Sequence, residues 1–313
     1  MKKYSILLLL ILLFLVLVIC LPRGFDSGRE MFFIIEKGQG SKQIALGLEE
    51  NDLIWFGPFF RAYVLATGVS GKLQAGTYQL SPSMNLFTIA RKLASGDIAQ
   101  EKITIIEGWN LKDIAWYFEN RGMFQAEELF ELNNNSWQGG LEGYLFPDTY
   151  LVRYGASLAE IVQQMQDNFD KKTAGLMDEI TRQNKQLSEI ITMASLIEKE
   201  VRTKEDKEIV SGIFWKRIRS GKPLESCASI AFIKGIDQWI YSFEDTRIES
   251  SYNTYLNYGL PVGPICNPGL ESILAALYPQ ETEYWYHLST PEGETIFSRT
   301  FEEHTAAKNK YLK

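Results

Sequence analysis

Apolar residues run almost unbroken from Ile6 to Leu21. With Tyr4 and Ser5 counted as interfacial residues the stretch spans about 27 Å as a helix, close to the hydrocarbon thickness of a bilayer. Lys2 and Lys3 precede it, which puts residues 1–3 on the cytoplasmic side and 4–21 across the membrane. The exit, Leu21-Pro22-Arg23-Gly24, has no small-residue cleavage pattern, and Leu17-Val18-Ile19 lacks the small residue that a lipidation site places before a cysteine such as Cys20. The pattern predicts a retained single-pass anchor, a linker over 22–30, and a folded body outside the cytoplasm.

Beyond the linker the hydrophobic period changes repeatedly between two and 3.6 residues. Met31–Ile35 reads as a strand and Glu36–Gly40 as a turn; Ser41 is placed to N-cap a helix with Ile44, Ala45 and Leu48 on one face. A helix near Pro58–Thr67, a strand over Leu73–Leu80 and a helix over Leu86–Ala94 closed by Gly96 follow. From Lys102 the order starts again. At an offset of 70 residues, Gly38, Ile44, Ala45, Leu48 and Glu49 fall on Gly108, Ile114, Ala115, Phe118 and Glu119. Either this is an internal repeat, or any strand–turn–helix unit would need the same glycine and apolar pair.

Further on, Gln125–Asn133 is expected to be helical and Leu141–Tyr150 a shaped, aromatic-rich loop. Helices are expected over Leu158–Arg182, Leu187–Val201 and Asp206–Arg219. The stretch from Gly221 to Gly269 reads as irregular. A helix over Leu270–Leu277, strands over Trp285–Leu288 and Thr295–Ser298, and a helix from Phe301 close the chain. The fold class is α+β.

Charge narrows the partners. Without Lys2 and Lys3 the exported part carries 30 basic against 39 acidic residues, a balance of −9. Nucleic acid, which requires a basic surface, is excluded as a partner. Of the two histidines, His287 and His304, neither lies in a zinc-hydrolase motif. The motifs of serine hydrolases, nucleotide binders and penicillin-type acyltransferases are absent too.

Carboxylates beside apolar or aromatic segments remain. Ile190–Ile197 is apolar nearly all round and runs straight into Glu198-Lys199-Glu200. A carboxyl at the end of a buried helix loses solvation, which suits a general acid. Composition alone favours the plainer reading, in which both glutamates begin a solvated helix end. Two residues apart, they face about 200° from one another and cannot act as one pair. The second cluster is Ser251–Tyr255 with the Gly- and Pro-rich Gly259–Gly269. Aromatic faces stack on sugars and asparagine offers paired donor and acceptor groups, so this segment suits a rigid glycan-binding wall as well as an ordinary surface loop.

Leu141–Tyr150 (LEGYLFPDTY), Ala194–Glu200 (ASLIEKE) and Tyr252–Thr254 with Gly259–Gly269 (YNT…GLPVGPICNPG) together resemble the YceG-like, or MltG-type, endolytic murein transglycosylases, over essentially the whole chain. The resemblance implies a LysM-like α/β module over 31–100 and an α+β catalytic domain over 101–313. It implies that Glu198, the first glutamate of the ASLIEKE helix, is catalytic. Tyr252, Asn253, Thr254 and Asn267 are implied in the substrate cleft, with Glu142 and Tyr144 of the LEGYLFPDTY segment. The implied reaction is cleavage of peptidoglycan strands between MurNAc and GlcNAc, giving 1,6-anhydroMurNAc ends, at the plasma membrane and in partnership with peptidoglycan synthases. No metal and no cofactor are implied. The alternative is a non-catalytic peptidoglycan-binding scaffold of the same fold. Many members carry L-Q-[ST]-D-P-T where this chain has Leu224–Ser229; the acid is missing, so Cys227 is given no catalytic role. Cys227 and Cys266, the two cysteines outside the anchor, lie in segments expected to meet at the cleft and to be close enough for a disulfide.

Overall fold

The computed structural model describes residues 21–24, 29–135, 140–236, 238 and 241–312. The anchor expected over 4–21 lies outside the described residues, apart from Leu21; among these residues no helix is long and apolar enough to cross a membrane. The chain is mixed α and β and divides into two compact units, one running to Ile103 with Leu151–Ala156, the other made of Thr104–Tyr150 and Ser157–Lys313.

In the first unit, strand β1 (Met31–Ile35) pairs antiparallel with β2 (Gly76–Leu80), Met31 opposite Leu80 and Ile35 opposite Gly76. Alternation turns Phe33, Ile35, Tyr78 and Leu80 inward, while Phe32 and Ile34 stay exposed. Helices α1 (Ser41–Glu50) and α2 (Gly57–Ala66) connect the strands, and α3 (Leu86–Ser95) follows them. Their buried stripes, Ile44, Ala45 and Leu48, Phe60 and Val64, and Ile89 and Leu93, close the core over the sheet. The N-cap of α1 is Gly40 and not Ser41: the Gly40 N–H donates to Gln43 Oε1 at 3.0 Å, and Ser41 is the first helical residue. The second strand is shorter than expected: residues 73–75 lie outside it, and pairing starts at Gly76, opposite the last residue of β1. Where the chain leaves residue 21 it is fastened at once. Arg23 donates Nη1–H to Ile54 O at 2.8 Å, pairs with Asp52 and lies over the Trp55 ring, and Gly24 N–H donates to Pro82 O at 3.0 Å.

β3 (Gln100–Thr104) and β4 (Thr149–Arg153) form a second two-stranded sheet, with α4 (Leu111–Asn120) and α5 (Ala126–Asn134) between them in sequence. The β4 strand takes Thr149 and Tyr150 out of the expected loop. In the second unit the helix expected over Leu158–Arg182 is two, α6 (Leu158–Thr173) and α7 (Met177–Arg182), separated by a 3₁₀ turn around Gly175. Then come α8 (Leu187–Glu200), α9 (Lys204–Arg219), α10 (Cys227–Lys234) and α11 (Leu270–Leu277). A β5 (Tyr286–Ser289) and β6 (Thr295–Ser298) hairpin and α12 (Phe301–Tyr311) close the unit. The α8 helix is the centre of this core: Ile190 through Ile197 are all buried, against residues of α9 and α11.

Candidate active site

Burying eight consecutive residues fixes α8 along its length and carries Glu198 to its inner end. Val201 is extended (φ −143°, ψ 159°), so the chain turns back, and Thr203 N-caps α9 by accepting from Asp206 N–H at 3.2 Å. The turn returns Lys207 alongside Glu198. Its Nζ donates to Glu198 Oε1 at 3.0 Å, with the side chains only 3% and 8% exposed. An ammonium this deep would cost several kcal/mol without a partner, so the pair is mutually obligatory.

The other oxygen faces the start of α11. Gly269, its N-cap, donates its N–H to Glu198 Oε2 at 2.9 Å, and Ser272 donates its hydroxyl at 2.6 Å. A helix N-terminus is a ready anion cradle. The carboxyl at the end of the apolar helix is therefore neither solvated nor left among apolar groups: three donors from two elements hold it.

Glu200 faces elsewhere, as the helical offset requires. It accepts from Ser226 Oγ, pairs with His287 Nε2 at 3.2 Å, and its backbone carbonyl accepts from Ser289 Oγ at 2.9 Å. Burial works to raise its carboxyl, but the His287 and Ser226 bonds outweigh burial and hold it below the usual range. Glu200 is committed to fastening the β5–β6 hairpin, while Glu198 faces the α11 N-terminus.

The LEGYLFPDTY segment and the Gly108–Trp109 turn meet at Asn267. Its Oδ1 accepts from Leu145 N–H at 2.9 Å, its Nδ2 donates to Trp109 O at 3.0 Å, and its carbonyl accepts from Gly108 N–H at 3.0 Å. The LEGYLFPDTY segment packs on GLPVGPICNPG at Gly143, which has φ +87° and whose Cβ, if present, would lie 2.5 Å from Pro264 Cγ. Glycine is required there on both counts.

The side chains of Asn253, Thr254 and Asn267 are wholly buried and act inside the wall. Asn253 Nδ2 donates to Thr246 and Ile248 carbonyls at 3.1 and 2.8 Å, and its Oδ1 accepts from Tyr255 N–H at 2.9 Å. Thr254 Oγ1 accepts from Ser226 N–H at 3.0 Å. Tyr252 is half-buried against Phe232, ring centres 4.8 Å apart. Tyr144 packs edge-on against Phe169, 5.1 Å away, at a cavity also lined by Leu141 and Asp170. Glu142 caps α4 by accepting from Leu111 N–H at 3.1 Å; burial pushes its carboxyl up to about 8, with the Leu111 bond opposing.

The expected cysteine pairing is not found. Cys227 is exposed with its Sγ 3.1 Å from the Tyr255 hydroxyl, whereas Cys266 is buried and donates to Ser195 O at 3.3 Å; both are free thiols. The sequence reading also passed over Lys207, Ser272 and Glu107. Glu107 had a visible signal: at the 70-residue offset it falls on Lys37, a charge reversal beside the one glycine that the two turns share.

This arrangement can be set beside known proteins. The chain is 32% identical over 315 residues to a Bacillus subtilis protein named endolytic murein transglycosylase, covering 93% of this chain and 87% of that protein. A Streptococcus pneumoniae protein of the same name is 27% identical over 327 residues, which cover 91% of this chain and 59% of the relative. The crystal structure of a putative YceG-like protein from Listeria monocytogenes matches with a TM-score of 0.62 at 30% identity, over 90% of this chain and 99% of that one. The profile described as the YceG-like family matches residues 33–310, and with it this chain belongs to the YceG-like family.

Proposed function

We propose that this chain is a membrane-anchored endolytic lytic transglycosylase that cuts peptidoglycan strands between MurNAc and GlcNAc, with Glu198 as its general acid–base group. The observation that carries the reading is the Glu198 carboxyl, presented at the end of a buried helix and oriented by Lys207, Gly269 and Ser272. In the reaction a proton goes to the glycosidic oxygen as the bond from MurNAc C1 breaks. The MurNAc 6-hydroxyl then gives up its proton as its oxygen bonds to C1. No water is consumed, so no second carboxylate is needed to activate one.

Tyr252 and Tyr144 are the binding residues with exposed ring area, and Glu142, Asn253, Thr254 and Asn267 act by shaping the wall behind them. The βααβ order of residues 31–80 supports a LysM-like glycan-holding role for the module over 31–100, ahead of the catalytic domain over 101–313. An anchor over 4–21 with residues 1–3 in the cytoplasm keeps the enzyme at the outer face of the plasma membrane, beside the synthases whose nascent strands it terminates.

Mass spectrometry of murein digested by the purified protein tests the reading. Wild type is expected to release products ending in 1,6-anhydroMurNAc, and Glu198→Gln to fold and bind murein with cleavage reduced roughly 10²–10⁴-fold. Reducing ends would overturn the reaction type, and wild-type cleavage by Glu198→Gln would overturn the site. Binding by the wild type without any release would favour the scaffold.

A further inference from the structure

Glu198 is not the only carboxyl at the α11 N-terminus. Glu107 lies so close to Gly269 that a Cβ there would sit 2.0 Å from Glu107 Oε1 and 2.2 Å from its Cδ. The N–H of the same Gly269 is the one bonded to Glu198. Gly108, which follows Glu107, lies beside Glu198: a Cβ on it would sit 3.6 Å from Glu198 Cγ, in van der Waals contact. Two glutamates from segments about ninety residues apart thus flank one glycine.

Their surroundings are opposite. Glu198 is almost buried and accepts from three donors, whereas Glu107 is exposed and, among the described residues, accepts no hydrogen bond and joins no ion pair. The charged groups around Glu107 are Glu198 and Lys199 of α8, Lys207 of α9 and Glu271 of α11. Partial burial, then Glu198 and Glu271, push the Glu107 carboxyl above its ordinary range, with Lys207 opposing. A carboxyl that accepts no hydrogen bond and has a like charge beside it is arranged to hold a proton and to hand it over.

We infer that Glu107 is the second catalytic carboxyl of this site, the acid that protonates the glycosidic oxygen while Glu198 takes the proton from the MurNAc 6-hydroxyl. The inference rests on the proposed transglycosylase reading and moves the acid half of the work to Glu107. The Glu107 proton goes to the leaving oxygen as the C1–O bond breaks; the 6-hydroxyl proton goes to Glu198 as the new C1–O bond forms. Turnover leaves Glu107 ionised and Glu198 protonated. One proton passing back through solvent restores the start, with no co-reactant consumed. The contacts suit the division: a base gains from oxygens held in place, and an acid needs its O–H free to reach substrate.

The experiment is the pH–rate profile of anhydro-end release from murein by the full-length chain, for wild type, Glu107→Gln, Glu271→Gln and Glu198→Gln, each checked by circular dichroism and thermal unfolding. Glu107→Gln is expected to unfold near the wild-type temperature, to lose roughly 10²-fold in rate, and to lose the alkaline limb that reports its proton. Glu271→Gln removes a like charge, so activity remains and the alkaline limb moves to lower pH. A Glu107→Gln enzyme with wild-type rate and profile overturns the inference. Should that variant fail to fold, an unmoved alkaline limb in Glu271→Gln overturns it instead. Cleavage by Glu198→Gln at the wild-type rate would strike the underlying reading and is recorded separately.

Discussion

The strand–turn–helix at 31–50 and its counterpart at 101–120 are the same local solution put to different uses. Both turns carry a glycine in the left-handed region, Gly38 at φ +88° and Gly108 at φ +80°, and both close with the same hydrogen bond, Gln39 N–H to Glu36 O at 3.1 Å and Trp109 N–H to Ile106 O at 3.2 Å. Both helices are ten residues long and bury matching positions, Ile44, Ala45 and Leu48 against Ile114, Ala115 and Phe118. The first turn is finished locally: Gln39 Oε1 accepts from Glu36 N–H at 3.1 Å in the open. The second is finished by Asn267, from 158 residues away, and its charged position holds Glu107 where the first holds Lys37. A backbone design that costs little to repeat gains long-range partners when a distant segment grips it.

The comparison can be broken at its strongest point. Asn267→Ala would leave the buried Leu145 N–H without its partner and take away one of the two bonds at Trp109 O, so a loss of about 3 kcal/mol in unfolding free energy is expected, measured by urea denaturation. Less than 1 kcal/mol would mean that the second turn is as self-sufficient as the first. Glu142 sharpens the same contrast through pH. Its folded carboxyl sits at about 8 against an ordinary 4.5, so the native state holds the proton more tightly than the unfolded chain. Its contribution to stability is therefore full below about 4.5 and declines as pH rises towards 8. Stability measured from pH 5 to 8 should fall more steeply for wild type than for Glu142→Gln, by up to about 1.4 kcal/mol per pH unit. Parallel curves would remove Glu142 as the cause. At the first turn, Gln39→Ala should change the unfolding free energy by no more than about 0.5 kcal/mol, because the bond it removes is exposed; a change above 1 kcal/mol would erase the asymmetry.

These contrasts also mark how much was legible in the sequence. Short-range patterns carried well: the Ile190–Ile197 run announced a buried helix, and at the 70-residue offset the bounds of α1 fall on those of α4 to the residue. The separate directions of Glu198 and Glu200 followed from helical geometry alone. What needed the fold was the identity of distant partners. Asn253, Thr254 and Asn267 read as binding groups because polar residues in a Gly- and Pro-rich loop suit either ligand or backbone, and only burial distinguishes the two. The α10 helix was hidden inside such a stretch, and the cysteines that sequence proximity to the cleft seemed to pair face Tyr255 and the Ser195 carbonyl instead. Lys207 gave no warning, since a lysine on a polar-looking helix is ordinarily solvated.

Arg23 has a mechanical consequence. Its guanidinium clasps Ile54 O and Asp52 beside Trp55, and Gly24 is tied to Pro82, so no slack chain separates residue 21 from the fold. A load applied at residue 21 therefore enters the α1–α2 corner directly. Under such a load the Arg23 clasp stands first in line, ahead of the helices of this unit.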